Sequence, residues 1–140
     1  MWFARNVLWH VDPFLLRITG GRLSLGPGMP TLLLETTGAR TGRPREHAVI
    51  YFTDGDEAVV VASKFGDPAH PAWFHNARRN PDVHVNGLPY RASVVEGDAE
   101  IDRLWALADQ VLPAYAFYRD RAAETGRTIP ILRLSARPSD

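Results

Sequence analysis

Nine consecutive residues, Thr37-Gly38-Ala39-Arg40-Thr41-Gly42-Arg43-Pro44-Arg45, combine two glycines, two threonine hydroxyls and three guanidinium groups. Such a segment suits a phosphate. Glycines let backbone N–H groups approach an anion, hydroxyls donate to it, and arginine grips it through paired charge-assisted hydrogen bonds. The segment is not a Walker loop, having neither that spacing nor the Gly-Lys-Ser/Thr ending. Residue types alone leave a second reading open, a solvated basic hairpin turn.

Three further segments carry polar or aromatic groups of interest. Val61-Ala62-Ser63-Lys64-Phe65-Gly66-Asp67-Pro68 ends a strand in a hydroxyl and in Lys64, the one lysine among sixteen Lys and Arg residues. Lysine supplies a compact mobile charge where arginine supplies a rigid fork. In a barrel, neighbouring strand ends can bring Ser63 and Lys64 to the basic loop; the plain alternative is a strand-to-helix connection with Lys64 in solvent. In Pro71-Ala72-Trp73-Phe74-His75-Asn76, the paired aromatics read first as core and second, through Trp73, as a wall for an aromatic cofactor. Tyr115 and Tyr118, beside Arg119, share a helical face as half-buried core or as donors to a substrate carbonyl or nitro group.

Other chemistries lack their residues. The chain has no cysteine, which excludes disulfides, thiolate catalysis and Cys-based metal sites. Its five histidines form no His-Glu-x-x-His pattern, and no Gly-x-Ser-x-Gly elbow exists. A net charge of zero argues against a nucleic-acid partner.

The elements that must position these groups follow from pattern. At 140 residues, 45% hydrophobic and 23% charged, the chain is expected to form one globular domain. Thr31–Thr37, Arg45–Thr53 and Glu57–Ser63 read as strands, the last two joined through Asp54-Gly55-Asp56. Pro71 opens a short helix that closes before Asn80-Pro81. Val83 and Val85, then Tyr90, Ala92 and Val94, alternate about an Asn86-Gly87 turn. Asp98 is expected to cap a helix with Ile101, Leu104, Trp105, Ala108, Val111 and Leu112 inward, and Pro113 to open another. Ile129–Leu134 closes the set. Six strands, mostly in hairpins, predict an α+β, mainly β, antiparallel six-stranded barrel over residues 31–136, with helices inserted before the last strand. A parallel doubly wound sheet fits poorly, because no helix separates the first three strands.

Residues 1–20 predict a helical segment before the barrel, starting well at Asp12-Pro13 and stopping at Gly20-Gly21. Arg5, Asp12, Pro13 and Arg17 interrupt its apolar residues, so it is too broken for a transmembrane span or a signal peptide. The expectation is a cytoplasmic protein whose residues 1–18 lie over the core, with peripheral membrane contact as the sharper alternative.

The order of segments resembles the deazaflavin-dependent nitroreductase family of actinobacterial F420-dependent oxidoreductases. The resemblance is carried by Gly20-Gly21-Arg22, Thr36 to Arg45, Val61 to Pro68, Pro71 to Asn76, Asn80-Pro81-Asp82-Val83-His84-Val85 and Arg127-Thr128-Ile129-Pro130. It implies a split, FMN-binding-like β-barrel and an F420 cofactor. It assigns the cofactor's phosphate and carboxylate tail to Arg40, Thr41, Gly42 and Arg45, with Ser63 and Lys64 closing over it. Trp73 and Asn76 fall beside the cofactor pocket, and Tyr115 and Tyr118 on the substrate side of the reactive ring.

The chain also departs from that pattern. Ala39 stands where the family often has a basic residue, Phe65 where it commonly has a second glycine, and Leu112 where some nitroreductases have a tyrosine. Tail contacts survive these changes better than substrate contacts do. The expected activity is hydride transfer from F420H2 to a small or lipophilic electron-poor acceptor: an enone, a quinone-like ring or a nitro compound. Alternatives are an FMN-dependent enzyme of the same barrel type and a non-catalytic carrier of cofactor or lipid. Either a monomer or a homodimer is compatible with the sequence.

Overall fold

Antiparallel strands joined by tight turns leave two unpaired sheet edges unless the edges meet. Here they meet. The computed structural model describes residues 30–138. Its strands are β1 (Thr31–Thr37), β2 (Pro44–Asp54), β3 (Glu57–Val61), β4 (Asp82–Val85), β5 (Leu88–Val94) and β6 (Ile131–Ala136). They close in the order β1-β2-β3-β6-β5-β4, every pairing antiparallel. The β1–β4 seam, where Leu34 pairs with Val85, completes the ring. Helix α1 (Ala72–Arg79) is inserted between β3 and β4, and α2 (Asp98–Val111) and α3 (Ala114–Ala123) between β5 and β6.

Alternation places Leu32, Leu34, Val83, Val85, Leu132 and Leu134 in a shared core. Ala58 to Val61 are all buried, so that stretch of β3 has no solvent face. The Asn86-Gly87 turn takes positive φ at both residues, as a tight hairpin requires. Arg119 fastens α3 to α2: it bonds both carboxylate oxygens of Asp109 at 2.9 and 2.7 Å and lies 4.1 Å over the Trp105 ring.

Several element ends differ from the expectation. β3 stops at Val61 rather than Ser63, because Ser63 turns into the right-handed helical region and Lys64 and Phe65 take φ of 47° and 57°. β6 runs two residues later than expected, since Pro130 has no N–H for a ladder and serves instead as acceptor to Ala62 N–H at 3.0 Å. The alternation of β5 breaks at Val94, which is exposed, while Val95 turns inward. Gly97, not Asp98, is the N-cap of α2; Asp98 and Glu100 occupy the first turn, where the helix dipole favours them.

Among the described residues, no helix is long and apolar enough to cross a membrane. The expected helical segment at residues 1–20, and the membrane contact expected of residues 1–18, lie outside the described residues.

Candidate functional site

The β1–β2 loop, the segment after β3, the start of α1 and one face of α3 surround two adjoining hollows. The first, about 720 Å³, is lined by Gly38, Ala39, Arg40, Thr41, Arg45, His47, Ala72, His75 and Asn76. The second, about 430 Å³, is walled chiefly by apolar and aromatic side chains, among them Val49, Phe65, Trp73, Leu112, Tyr115 and Tyr118, and it includes Ser63 and Lys64. His47 and Ala72 border both. The hollows therefore form one groove with a basic half and an aromatic half.

The basic half is held open by hydrogen bonds internal to the loop. Gly38 N–H donates to Arg43 O at 2.7 Å, and Gly42 N–H to Gly38 O at 2.9 Å. Thr41 Oγ1 accepts from Arg43 N–H at 3.2 Å and keeps its own proton free to donate. Asn76, reaching from α1, accepts Ala39 N–H at 2.9 Å and donates to Thr36 Oγ1 at 3.2 Å. Its amide thus fixes where the loop sits. Arg40 and Arg45 are exposed along the groove, while Gly42 lies outside the lining and shapes the turn.

The aromatic half depends on Arg127, a buried residue ahead of β6. Its guanidinium donates from Nε to His70 Nδ1 at 2.8 Å, from Nη1 to Ser63 O and Asp67 O at 2.9 and 2.7 Å, and from Nη2 to Ala62 O. One side chain so holds both ends of the segment that presents Ser63, Lys64 and Phe65. Burial pushes this guanidinium below its ordinary value, with the Asp67 charge opposing. His70 is likewise pushed down, by burial first and the Arg127 charge next, which keeps its Nδ1 an acceptor. Gly66 completes the seating against α3, for a Cβ there would stand 2.5 Å from Tyr118 O.

Tyr115 is nearly fully buried, and burial raises its hydroxyl pKa, with the neighbouring Tyr118 and Asp109 adding to the rise. It stays a neutral phenol at physiological pH. Tyr118 is half-buried, with its ring 6.2 Å from that of Tyr115 and 5.7 Å from that of Phe65.

Ser63 and Lys64, expected to close over an anionic tail beside Arg40 and Arg45, border the aromatic half instead, across His47 from the basic loop. Sequence reasoning passed over His47, although strand alternation places it on the same face of β2 as Arg45. Its Nδ1 is buried without a hydrogen-bond partner among the described residues, at the boundary of the two halves. A buried polar atom left so asks for a ligand or water. Arg127 was visible only as part of a motif.

A barrel whose groove joins clustered arginines to an aromatic chamber suits the class of proteins that bind a flat redox cofactor with an anionic tail. Comparison narrows the class. Residues 11–135 match the family model described as F420H2-dependent quinone reductase. An F420H2-dependent quinone reductase of Mycobacterium tuberculosis H37Rv is 39% identical over 147 residues, covering 97% of each chain. A solved F420-H2 dependent reductase superposes with a TM-score of 0.64 at 35% identity, covering 76% of this chain and 94% of that one. A second solved structure, described as a domain-swapped dimer, gives 0.65 at 31% identity over 87% of this chain and 97% of its own. The chain belongs to the F420H2-dependent quinone reductase family, whose members are oxidoreductases with F420 as cofactor.

The residues fit that cofactor. Arginines and a hydroxyl line one half, a chemistry suited to phosphate and carboxylates; aromatic walls line the other, suited to a flat ring; and His47 Nδ1, without a partner among the described residues, lies between.

Proposed function

We propose that this enzyme reduces a flat, quinone-like acceptor with F420H2, the basic half of the groove taking the cofactor's tail and the aromatic half its ring and the acceptor. The observation that carries the reading is the junction: a hollow lined by Arg40 and Arg45 adjoins an aromatic one, with His47 and Ala72 lining both. F420, when bound, supplies a hydride from its reduced ring. The protein's own part is binding, orientation and exclusion of water.

In this reading Arg40, Arg45 and Thr41 hold the anionic tail, with Asn76 and Gly42 setting the loop's shape. His47 Nδ1 bonds the polar chain between tail and ring. Trp73 walls the ring. Ser63, Lys64 and the Tyr115 and Tyr118 hydroxyls are the donors at the acceptor end, and Tyr115, kept a neutral phenol by burial, offers its O–H as a hydrogen-bond donor to the acceptor's oxygen. Lys64 offers charge to an acceptor oxygen rather than to the tail. FMN lacks the acidic tail that Arg40 and Arg45 hold in this reading, and a non-catalytic carrier has no use for donors at the acceptor end. The domain-swapped dimer formed by the second solved relative supports a homodimer here too; light scattering that gave one chain's mass would remove that part.

The test is oxidation of F420H2 with quinones, enones and nitro compounds. Faster turnover on quinones, with tighter binding of F420 than of FMN, supports the reading. Tight F420 binding without oxidation by any acceptor contradicts it.

A further inference from the structure

Phe65 combines two unfavourable features. Its backbone is left-handed, with φ 57° and ψ 21°, a region that a bulky side chain rarely enters. Its ring is 66% exposed, so it contributes little to the core. Glycine at this position would remove both costs. Among the described residues the ring is no part of the barrel's hydrophobic core, and such strain points to a role at a site.

The backbone that carries the ring is also held in place. On one side Gly66 is pressed against α3, and on the other Arg127 binds Ser63 O and Asp67 O. Arg121 Nη1 donates to the carbonyl of Phe65 itself at 3.0 Å. The ring meets Tyr118 edge to face, at 5.7 Å and 88°, forming a right-angled aromatic corner on the rim of the aromatic half. A corner of this kind gives a flat, electron-poor ring one face to stack on and one edge to meet.

We propose that Phe65 is a specificity-determining residue for the acceptor: its ring is the outer wall that favours flat conjugated rings over small non-aromatic acceptors. The inference rests on the reading of the aromatic half as the acceptor's chamber. Phe65 acts on the acceptor and not on the cofactor's tail, because it borders only the aromatic half.

The experiment compares wild type with Phe65→Gly, Phe65→Asn and Phe65→Trp. Four quantities are read: the Tm, the Kd of oxidised F420 from its fluorescence, the Kd of a 1,4-naphthoquinone for protein loaded with oxidised F420, and the relative KM for that quinone and cyclohexenone. Glycine and asparagine, both at ease at positive φ, should leave the Tm unchanged or raise it by about 3 °C. They should keep the F420 Kd within about twofold and weaken naphthoquinone binding about fivefold, the scale of one aromatic contact. The preference for naphthoquinone over enone should fall by the same factor, and tryptophan should retain it.

Unchanged naphthoquinone binding overturns the inference. So does a parallel loss of F420 affinity, which would give the ring to the cofactor, or a lowered Tm, which would make it structural. Wild type that binds the quinone through Phe65 without turnover contradicts the proposed reaction alone; turnover indifferent to Phe65 contradicts this inference alone.

Discussion

Arg127→Ala removes the donor to four acceptors at once. Ala62 O is the most deeply buried of them, and its loss should cost the full penalty of an unpaired carbonyl, about 1–3 kcal/mol. Ser63 and Asp67 are half-exposed, so water can reach their carbonyls and each loss costs about 1 kcal/mol. Adding about 1 kcal/mol for the bond to His70, the variant should lose about 4–6 kcal/mol of stability. For a domain of this size that is a drop in Tm on the order of 10 °C. Urea titration measures the loss, and amide exchange shows where it falls: Asp67 N–H, bonded to Lys64 O at 3.0 Å, should exchange faster while the β1–β2 pairing stays protected. Arg127→Lys restores charge without the planar fork and should recover less than half. A loss under about 1 kcal/mol, or full rescue by lysine, would refute the assignment of Arg127 as the clamp of this segment.

Other perturbations have defined outcomes. Gly66→Ala sets a Cβ 2.5 Å from Tyr118 O at a φ of 77°, so it should cost about 2–4 kcal/mol in urea titration and weaken acceptor binding; a neutral result would show that the segment is not pressed on α3. His70, whose folded pKa lies below its ordinary 6.5, stabilises the fold above pH 6.5 and progressively less as pH falls through the folded value. Thermal melts from pH 8 to 5 should therefore lose Tm at the acid end, and His70→Gln, which keeps an acceptor but does not titrate, should flatten the decline. Asp54, held near 2 by its hydrogen bonds to Arg103 and Arg133, stabilises above its ordinary 3.8, a contribution lost only as pH falls toward 2. Asp54→Asn should leave the pH 8 to 5 slope unchanged.

Period-two alternation and the Asn86-Gly87 turn made the barrel legible, because each is a local rule that the whole fold obeys. Strand ends were less legible. Whether β3 continues past Val61 depends on Arg127, sixty-odd residues away, drawing carbonyls from Ala62, Ser63 and Asp67. The basic loop was legible as an anion cradle from composition, but the role of Asn76 was not, since its hydrogen bonds to Ala39 and Thr36 join separate elements. His47 shows the opposite failure: alternation from Arg45 points to it, but its spacing from the other histidines carries no metal pattern that would single it out. Lys64 fell on the aromatic side because the turn after Ser63 is left-handed, a conformation that neither Lys64 nor Phe65 advertises by type.

The division of the groove into tail and ring halves is tested most directly by a residue-by-ligand cycle. Wild type and Arg40→Ala/Arg45→Ala are titrated with F420 and with its phosphate-free ring-and-ribityl fragment, each followed by deazaflavin fluorescence. The double substitution should weaken F420 at least tenfold, increasingly so as salt is lowered, and leave the fragment's affinity within about twofold. Equal losses for both ligands, or none for F420, would contradict the assignment of Arg40 and Arg45 to the tail.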